Sequence, residues 1–131
     1  MNMVRRKLKM QPARALAIEA ARLAEERHAT DVVVLDLRGI SPVTDYFVIF
    51  TGTSDRQMGS VAEEIMGKAR LYGYRPMDTA SLKSSRWVLL DFVDVVVHAF
   101  DQVHRKFYDL ELIWGDSPRV RWKSTRKKAK S

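Results

Sequence analysis

The chain has 131 residues, 46% of them hydrophobic, which fits one soluble-type domain with a substantial core of its own. It has no cysteine, which excludes disulfides and thiolate metal sites and fits a reducing compartment. Its formal charge of +7 is unevenly spread: residues 1–10 hold four basic groups and no acid, and residues 116–131 hold seven against Asp116. The stretch between them is mildly acidic. The chain therefore reads as a basic N-terminal tail (1–10), a single domain (11–115) and a basic, disordered C-terminal tail (116–131). Such tails draw polyanions through counterion release, and Arg119, Arg121, Lys123, Arg126, Lys127 and Lys128 are the candidate RNA-steering residues. The longest apolar runs are far short of the ~20 residues needed to span a bilayer. The acid-free first 18 residues share the bias of a transit peptide but are short and lack serine.

In chain order, Pro12 suits the first turn of a helix, and Leu16, Ala20, Leu23 and Ala24 share one face as far as Arg27. Asp31–Leu37 is β-branched and short, a buried strand. After a break at Gly39–Asp45, Tyr46–Thr51 reads as a second. Ser54 and Gln57 form a capping box ahead of Met58, Val61, Ala62, Ile65, Met66 and Ala69, one apolar helix face ending at Gly73. The methionines on that face read as core packing. Tyr74–Met77 is a short edge strand, since Pro76 cannot donate to a ladder, and Asp78–Ser85 a polar loop. Trp87–Leu90 and Val95–Phe100 are two strands joined at Asp91–Asp94. Asp101 caps a last helix carrying Val103, Phe107, Leu110 and Trp114, which ends near Gly115 and Pro118. The order predicts an α/β (α+β) fold, a mixed sheet of about five strands with helices packed on it.

The run WVLLDFVDVVVHAF (87–100) poses the chemical question, because two acids and a histidine sit among strands. Acids that hold a divalent metal from one strand face stand two apart, whereas Asp91 and Asp94 stand three apart. Polar ends of a hairpin turn explain them better. The strand-to-helix junction GTSD (52–55) could bind phosphate at a helix start, but the acid-x-acid partner is missing and the capping box accounts for it. Asp109 and Glu111 diverge on a predicted helix. His98 has a conceivable companion set in Asp94 and His104. Strand alternation groups Asp94, Val96, His98 and Phe100 on one face, where a lone histidine is more often structural or at an interface. With no nucleophile elbow, metal box or cofactor cradle, the reading assigns no catalytic residue, no metal and no cofactor. Trp87, Tyr108, Trp114, Leu110 and Leu112 instead suggest an aromatic–aliphatic patch near Arg105, of the composition that dominates protein-binding hot spots.

The strings DLRGISPVTDYFVIFTGTSDRQ and WVLLDFVDVVVHAF…HRKFYDLELIW resemble the ribosomal silencing factor, or Iojap-related, family from about Asp31 to Trp114. The resemblance implies a nucleotidyltransferase-like core lacking its catalytic acids. It also implies a non-enzymatic, cytoplasmic translational repressor that binds the large ribosomal subunit at its protein number fourteen and hinders joining with the small subunit under nutrient limitation. Organellar relatives are linked to large-subunit assembly, and homodimers occur in the family. By the same match the docking residues are Trp87, Tyr108 and Leu110, with Asp91, His98 and Arg105 added. Where relatives carry glycine in the hairpin turn, this chain has Val93, which resists positive φ. The rival readings are a general RNA-binding or ribosome-assembly protein acting through its basic tails, and a Mg-dependent nucleotidyltransferase using GTSD with Asp91 and Asp94.

Overall fold

The computed structural model describes residues 11–76, 87–108 and 116–123. Among them, helix α1 (Ala13–Glu26) leads to strands β1 (Thr30–Asp36) and β2 (Tyr46–Thr51) and helix α2 (Asp55–Leu71). Strands β3 (Trp87–Asp91) and β4 (Val95–Phe100) and helix α3 (Gln102–Tyr108) follow. The four strands form one mixed sheet in the order β1-β2-β4-β3, as the sequence led us to expect in kind. β2 and β4 run parallel in the middle, and β1 and β3 pair antiparallel at the two sides.

One sheet face carries the main core. Val34, Val48, Phe50, Val88, Leu90, Val95, Val97 and Ala99 pack against Leu16, Ala17, Ala20, Ala21 and Ala24 of α1 and Met58, Val61, Ala62, Ile65 and Ala69 of α2. The run of alanines lets α1 lie close to the sheet with little side-chain entropy lost. The other face carries a smaller cluster of Leu35, Leu37, Ile49 and Phe100, with Val33 and Phe47 packed on it. All six residues of β4 are buried, so alternation of polarity is absent from this strand, as expected when both faces are covered.

Helix α2 starts at the predicted Ser54–Gln57 box, with the return bond from Gln57 shifted to the residue before the N-cap. Ser54 Oγ accepts the Gln57 N–H at 3.0 Å, and Gln57 Oε1 accepts the Thr53 N–H at 2.7 Å. A Cβ on Gly52 would stand 2.0 Å from Met58 Cγ, so glycine lets the first turn of α2 close onto the end of β2. At the other end Gly73 adopts φ 94°, the left-handed conformation expected for a helix stop. Pro12 sits one position earlier than expected, as the N-cap of α1.

The expected fifth strand is not formed by residues 74–76, and Met77 lies outside the described residues. Tyr74 is drawn inward instead. Its N–H donates to Ala69 O at 2.8 Å, its hydroxyl donates to Gln11 O at 2.8 Å, and the ring is buried. Closing α2 and tying it to the start of α1 outcompetes pairing along an edge that Pro76 already weakens. The 78–85 loop, the helix expected beyond Tyr108 and the tail 1–10 also lie outside the described residues.

The C-terminal boundary moves. Residues 116–123, read from the sequence as the start of a disordered tail, run as a strap along β1. Asp36 N–H donates to Pro118 O and Val120 N–H donates to Val34 O, each at 2.8 Å, and Arg119 stands opposite Leu35. Val120 and Trp122 are buried in the main core, and Arg22 Nε donates to Trp122 O at 2.7 Å. The folded unit therefore extends to Lys123.

Candidate functional site

The β3–β4 hairpin is the frame of the site. Its register sets Trp87 opposite Phe100, Leu89 opposite His98 and Asp91 opposite Val96. The turn is closed by the Phe92 N–H donating to Val95 O at 2.9 Å, with Val93 at φ 74° and half exposed. Asp91 makes that strained turn possible: its Oδ1 accepts the Val93 N–H at 2.8 Å. The Asp94 carbonyl accepts the N–H groups of Asp45 and Tyr46, each at 3.1 Å, which fixes the turn to the start of β2. Asp91 thus works in the turn through its carboxylate, and Asp94 through its backbone carbonyl. Among the described residues no group of three or more His, Cys, Asp or Glu side chains could hold a metal ion.

His98 lies below the surface, only 5% exposed. Its ring meets Phe47 edge-on at 4.7 Å between centroids and lies parallel to Phe100 at 6.1 Å. Burial disfavours the charged imidazolium and lowers the pKa to about 4, so the ring is neutral at physiological pH. His98 therefore supports the face from within. Its conceivable partner His104 is engaged elsewhere, with Nδ1 2.8 Å from Asp101 Oδ1; the same oxygen accepts the His104 N–H at 2.7 Å and so caps α3.

Arg105 projects from α3 to the end of β2, where its Nη1 donates to Thr51 Oγ1 at 3.0 Å. It lines an open cleft of about 600 Å³ with Asp31, Val33, Thr51, Gln102 and Lys106. The backbone brings the main candidates to one end of the sheet: β3 begins at Trp87 beside Phe100, where β4 ends, and α3 starts two residues later. Tyr108 closes α3, roughly 10 Å along a helix of seven residues. Leu110, Arg126, Lys127 and Lys128 lie outside the described residues. Arg119, Arg121 and Lys123 are exposed on the strap, at the far side of the sheet from β3. Lys123 Nζ lies 3.8 Å from Glu25 Oε2 and 5.9 Å from the Trp122 ring centroid.

Sequence reasoning missed Thr51 and the strap. The strap had a readable signal, since in RVRWK (119–123) the apolar Val120 and Trp122 alternate with cations at the period of a half-buried strand.

A hairpin turn held by Asp91, a neutral buried histidine and a short helix set beside a strand start belong to a small α/β domain. The comparisons place it. The model of the family described as ribosomal silencing factor during starvation matches residues 10–131, and the chain belongs to that family. A Bacillus subtilis protein named ribosomal silencing factor RsfS is 42% identical over 99 residues, covering 76% of this chain and 84% of its own length. The chloroplastic protein Iojap of Zea mays is 35% identical over 105 residues, or 79% of this chain but 45% of that longer protein. A crystal structure of a Chromobacterium violaceum protein has a TM-score of 0.75 at 25% identity, covering 87% of this chain and 94% of that one. One from Bacillus halodurans has a TM-score of 0.66 at 36% identity, covering 82% and 94%. The match from residue 10 to residue 131 takes in the C-terminal basic segment, which the motif resemblance had left outside the shared region.

Proposed function

We propose that this protein represses translation by binding the large ribosomal subunit at its protein number fourteen and sterically hindering the small subunit from joining. What carries the reading is its membership of the silencing family together with the meeting of β3 and α3 at one end of the sheet. Trp87, Tyr108 and Leu110 form the docking patch. Arg105 supports it by tying α3 to Thr51 and His98 by packing against Phe47, while Asp91, at the other end of β3, holds the hairpin turn. Occlusion needs no bond-making, and the engagement of the Asp91 carboxylate in the turn supports a non-enzymatic role. Basic residues from Arg119 through Lys128 steer the protein towards ribosomal RNA. Action in the cytoplasm under nutrient limitation, and a homodimer of the free protein, enter the proposal from the family resemblance.

Sedimentation with separated subunits tests it. The protein should pellet with the large subunit and stay in the supernatant with the small one. Trp87→Ala or Tyr108→Ala should each weaken binding by about 2 kcal/mol or more, roughly 30-fold in Kd, as truncated hot-spot aromatics do. A folded Trp87→Ala protein that still pellets with large subunits at the wild-type concentration would place the patch elsewhere.

A further inference from the structure

The end of the sheet away from Trp87 carries an apolar tip rimmed by acids. There β1 closes at Asp36 beside Tyr46, where β2 opens; β4 opens at Val95, and β3 closes at Asp91 beside Val96. Two loops meet at this end, because the Asp94 carbonyl accepts the Asp45 and Tyr46 N–H groups. Between them they leave Val43 78% exposed and Ile40 and Val93 half exposed. The backbone that presents Ile40 and Val43 is set. Leu37 N–H donates to Asp45 O at 2.8 Å, Ile40 N–H to Leu37 O at 2.9 Å, and Val43 N–H to Ser41 Oγ at 3.1 Å.

Asp45, Asp91 and Asp94 stand around this tip, each partly buried. Two of their charges are felt inside the domain. Burial raises the Tyr74 pKa, and the carboxylates of Asp94 and Asp45 add to the rise. Among the described residues no salt bridge engages any of the three acids. Arg38, on the same loop, is held by Asp36 at 2.9 and 2.7 Å, and Asp45 adds only a weaker pull on it. Arg75, exposed just past Tyr74, leaves the acids in excess.

Tyr74 also marks where the chain enters the domain. Its hydroxyl donates to Gln11 O at 2.8 Å, and Gln11 N–H donates to Tyr72 O at 2.9 Å. The ten residues before Gln11 therefore depart beside the acids that act on Tyr74. Extended, ten residues reach ~33 Å, against ~14 Å for the three spacings of a four-stranded sheet. Their sequence, MNMVRRKLKM, holds Arg5, Arg6, Lys7 and Lys9 and no acid. At the two-residue period of an extended chain, Val4, Leu8 and Met10 share one side and Arg5, Lys7 and Lys9 the other.

We infer that residues 1–10 dock on this end of their own domain, laying their apolar side on Ile40 and Val43 and setting their cations against Asp45, Asp91 and Asp94. Lysine and arginine stems can lie along an apolar surface while their heads reach acids at its rim. So held, the segment is an arm of the domain, and its cations are engaged within the molecule and not offered to RNA. The surface lies at the opposite end of β3 from Trp87, so it is independent of the proposed docking patch.

The chain has no cysteine, so a nitroxide on Asn2→Cys reports where the segment lies in the full-length protein. At about 50 mM KCl, where charges are weakly screened, it should broaden the amide signals of Ile40, Val43 and Val93 at least twofold more than that of Leu71. Leu71 adjoins Tyr72, which binds Gln11, so an undocked segment would sweep it equally well. At about 1 M KCl, where the Debye length is ~3 Å, the excess should shrink but persist through the apolar contact. Val43→Asn changes one exposed side chain and Asp45→Asn/Asp94→Asn removes two charges; each should at least halve the excess, while Trp87→Ala should leave it unchanged. Equal broadening at Leu71 and the tip would overturn the inference, as would an excess unaltered in Val43→Asn. A mixture of spin-labelled protein with isotope-labelled protein lacking the cysteine should show no broadening at the tip. Broadening there would assign the surface to the segment of a second copy and overturn docking within one chain.

Discussion

Acidification should destabilise this protein through His98 in a defined window. The ring is buried between Phe47 and Phe100, and burial lowers its pKa from 6.5 to about 4. In the unfolded chain the imidazole regains an ordinary value near 6.5, so between these two values the unfolded state binds more protons. Stability from this group is therefore fully present above pH 6.5 and is lost as the pH falls towards 4. From these two values the loss is about 2 kcal/mol at pH 5 and about 3 kcal/mol at pH 4. Carboxylates also titrate in this range, so the measurement must isolate the histidine. Urea unfolding of wild type and of His98→Leu at pH 7.5, 6.0, 5.0 and 4.5 does so, because the leucine carries no titrating group. The stability of wild type relative to the variant should fall by about 2 kcal/mol between pH 7.5 and pH 5. A difference that stays flat across the series would show that the imidazole is hydrated or charged in the fold, and the description of His98 as a neutral core support would be wrong.

Two further substitutions test local geometry. Val93→Gly should raise stability by about 1 kcal/mol, a few degrees in thermal midpoint, because it relieves a β-branched residue at φ 74° whose side chain is half exposed; a lower midpoint would refute the strain. Gly52→Ala should cost about 2 kcal/mol, because its new Cβ would overlap the buried Met58 side chain at 2.0 Å from Cγ. Thermal denaturation at unchanged midpoint would mean that Met58 can repack without loss.

Local chemistry was legible in the sequence wherever it decided the outcome alone. The Ser54–Gln57 box, the Gly73 stop and the β-branched strands Tyr46–Thr51 and Val95–Phe100 appear where the residues placed them. Asp91 was readable as a turn residue for the same reason, since an Asp side chain satisfies a nearby backbone N–H wherever a tight turn exposes one. Legibility ended where a distant segment decides. Tyr74 has the profile of an edge-strand residue, yet its hydroxyl finds Gln11, 63 positions away. The burial of His98 follows from the Phe47 ring on a neighbouring strand and from cover on both faces of β4, neither of which its own strand encodes. The strap was hidden by its charge. Seven basic residues in 116–131 dominate the composition, while the two that pack, Val120 and Trp122, matter only because the side of β1 offers a free row of backbone partners.

The sheet order also limits where a partner can touch. β2 and β4 are central, and β4 is buried throughout, so its side chains are not offered to a partner. The proposed patch begins at Trp87 on β3, at the end of the sheet where β4 finishes beside it and α3 starts two residues later, so a partner seated there would meet the sheet end and not its covered faces.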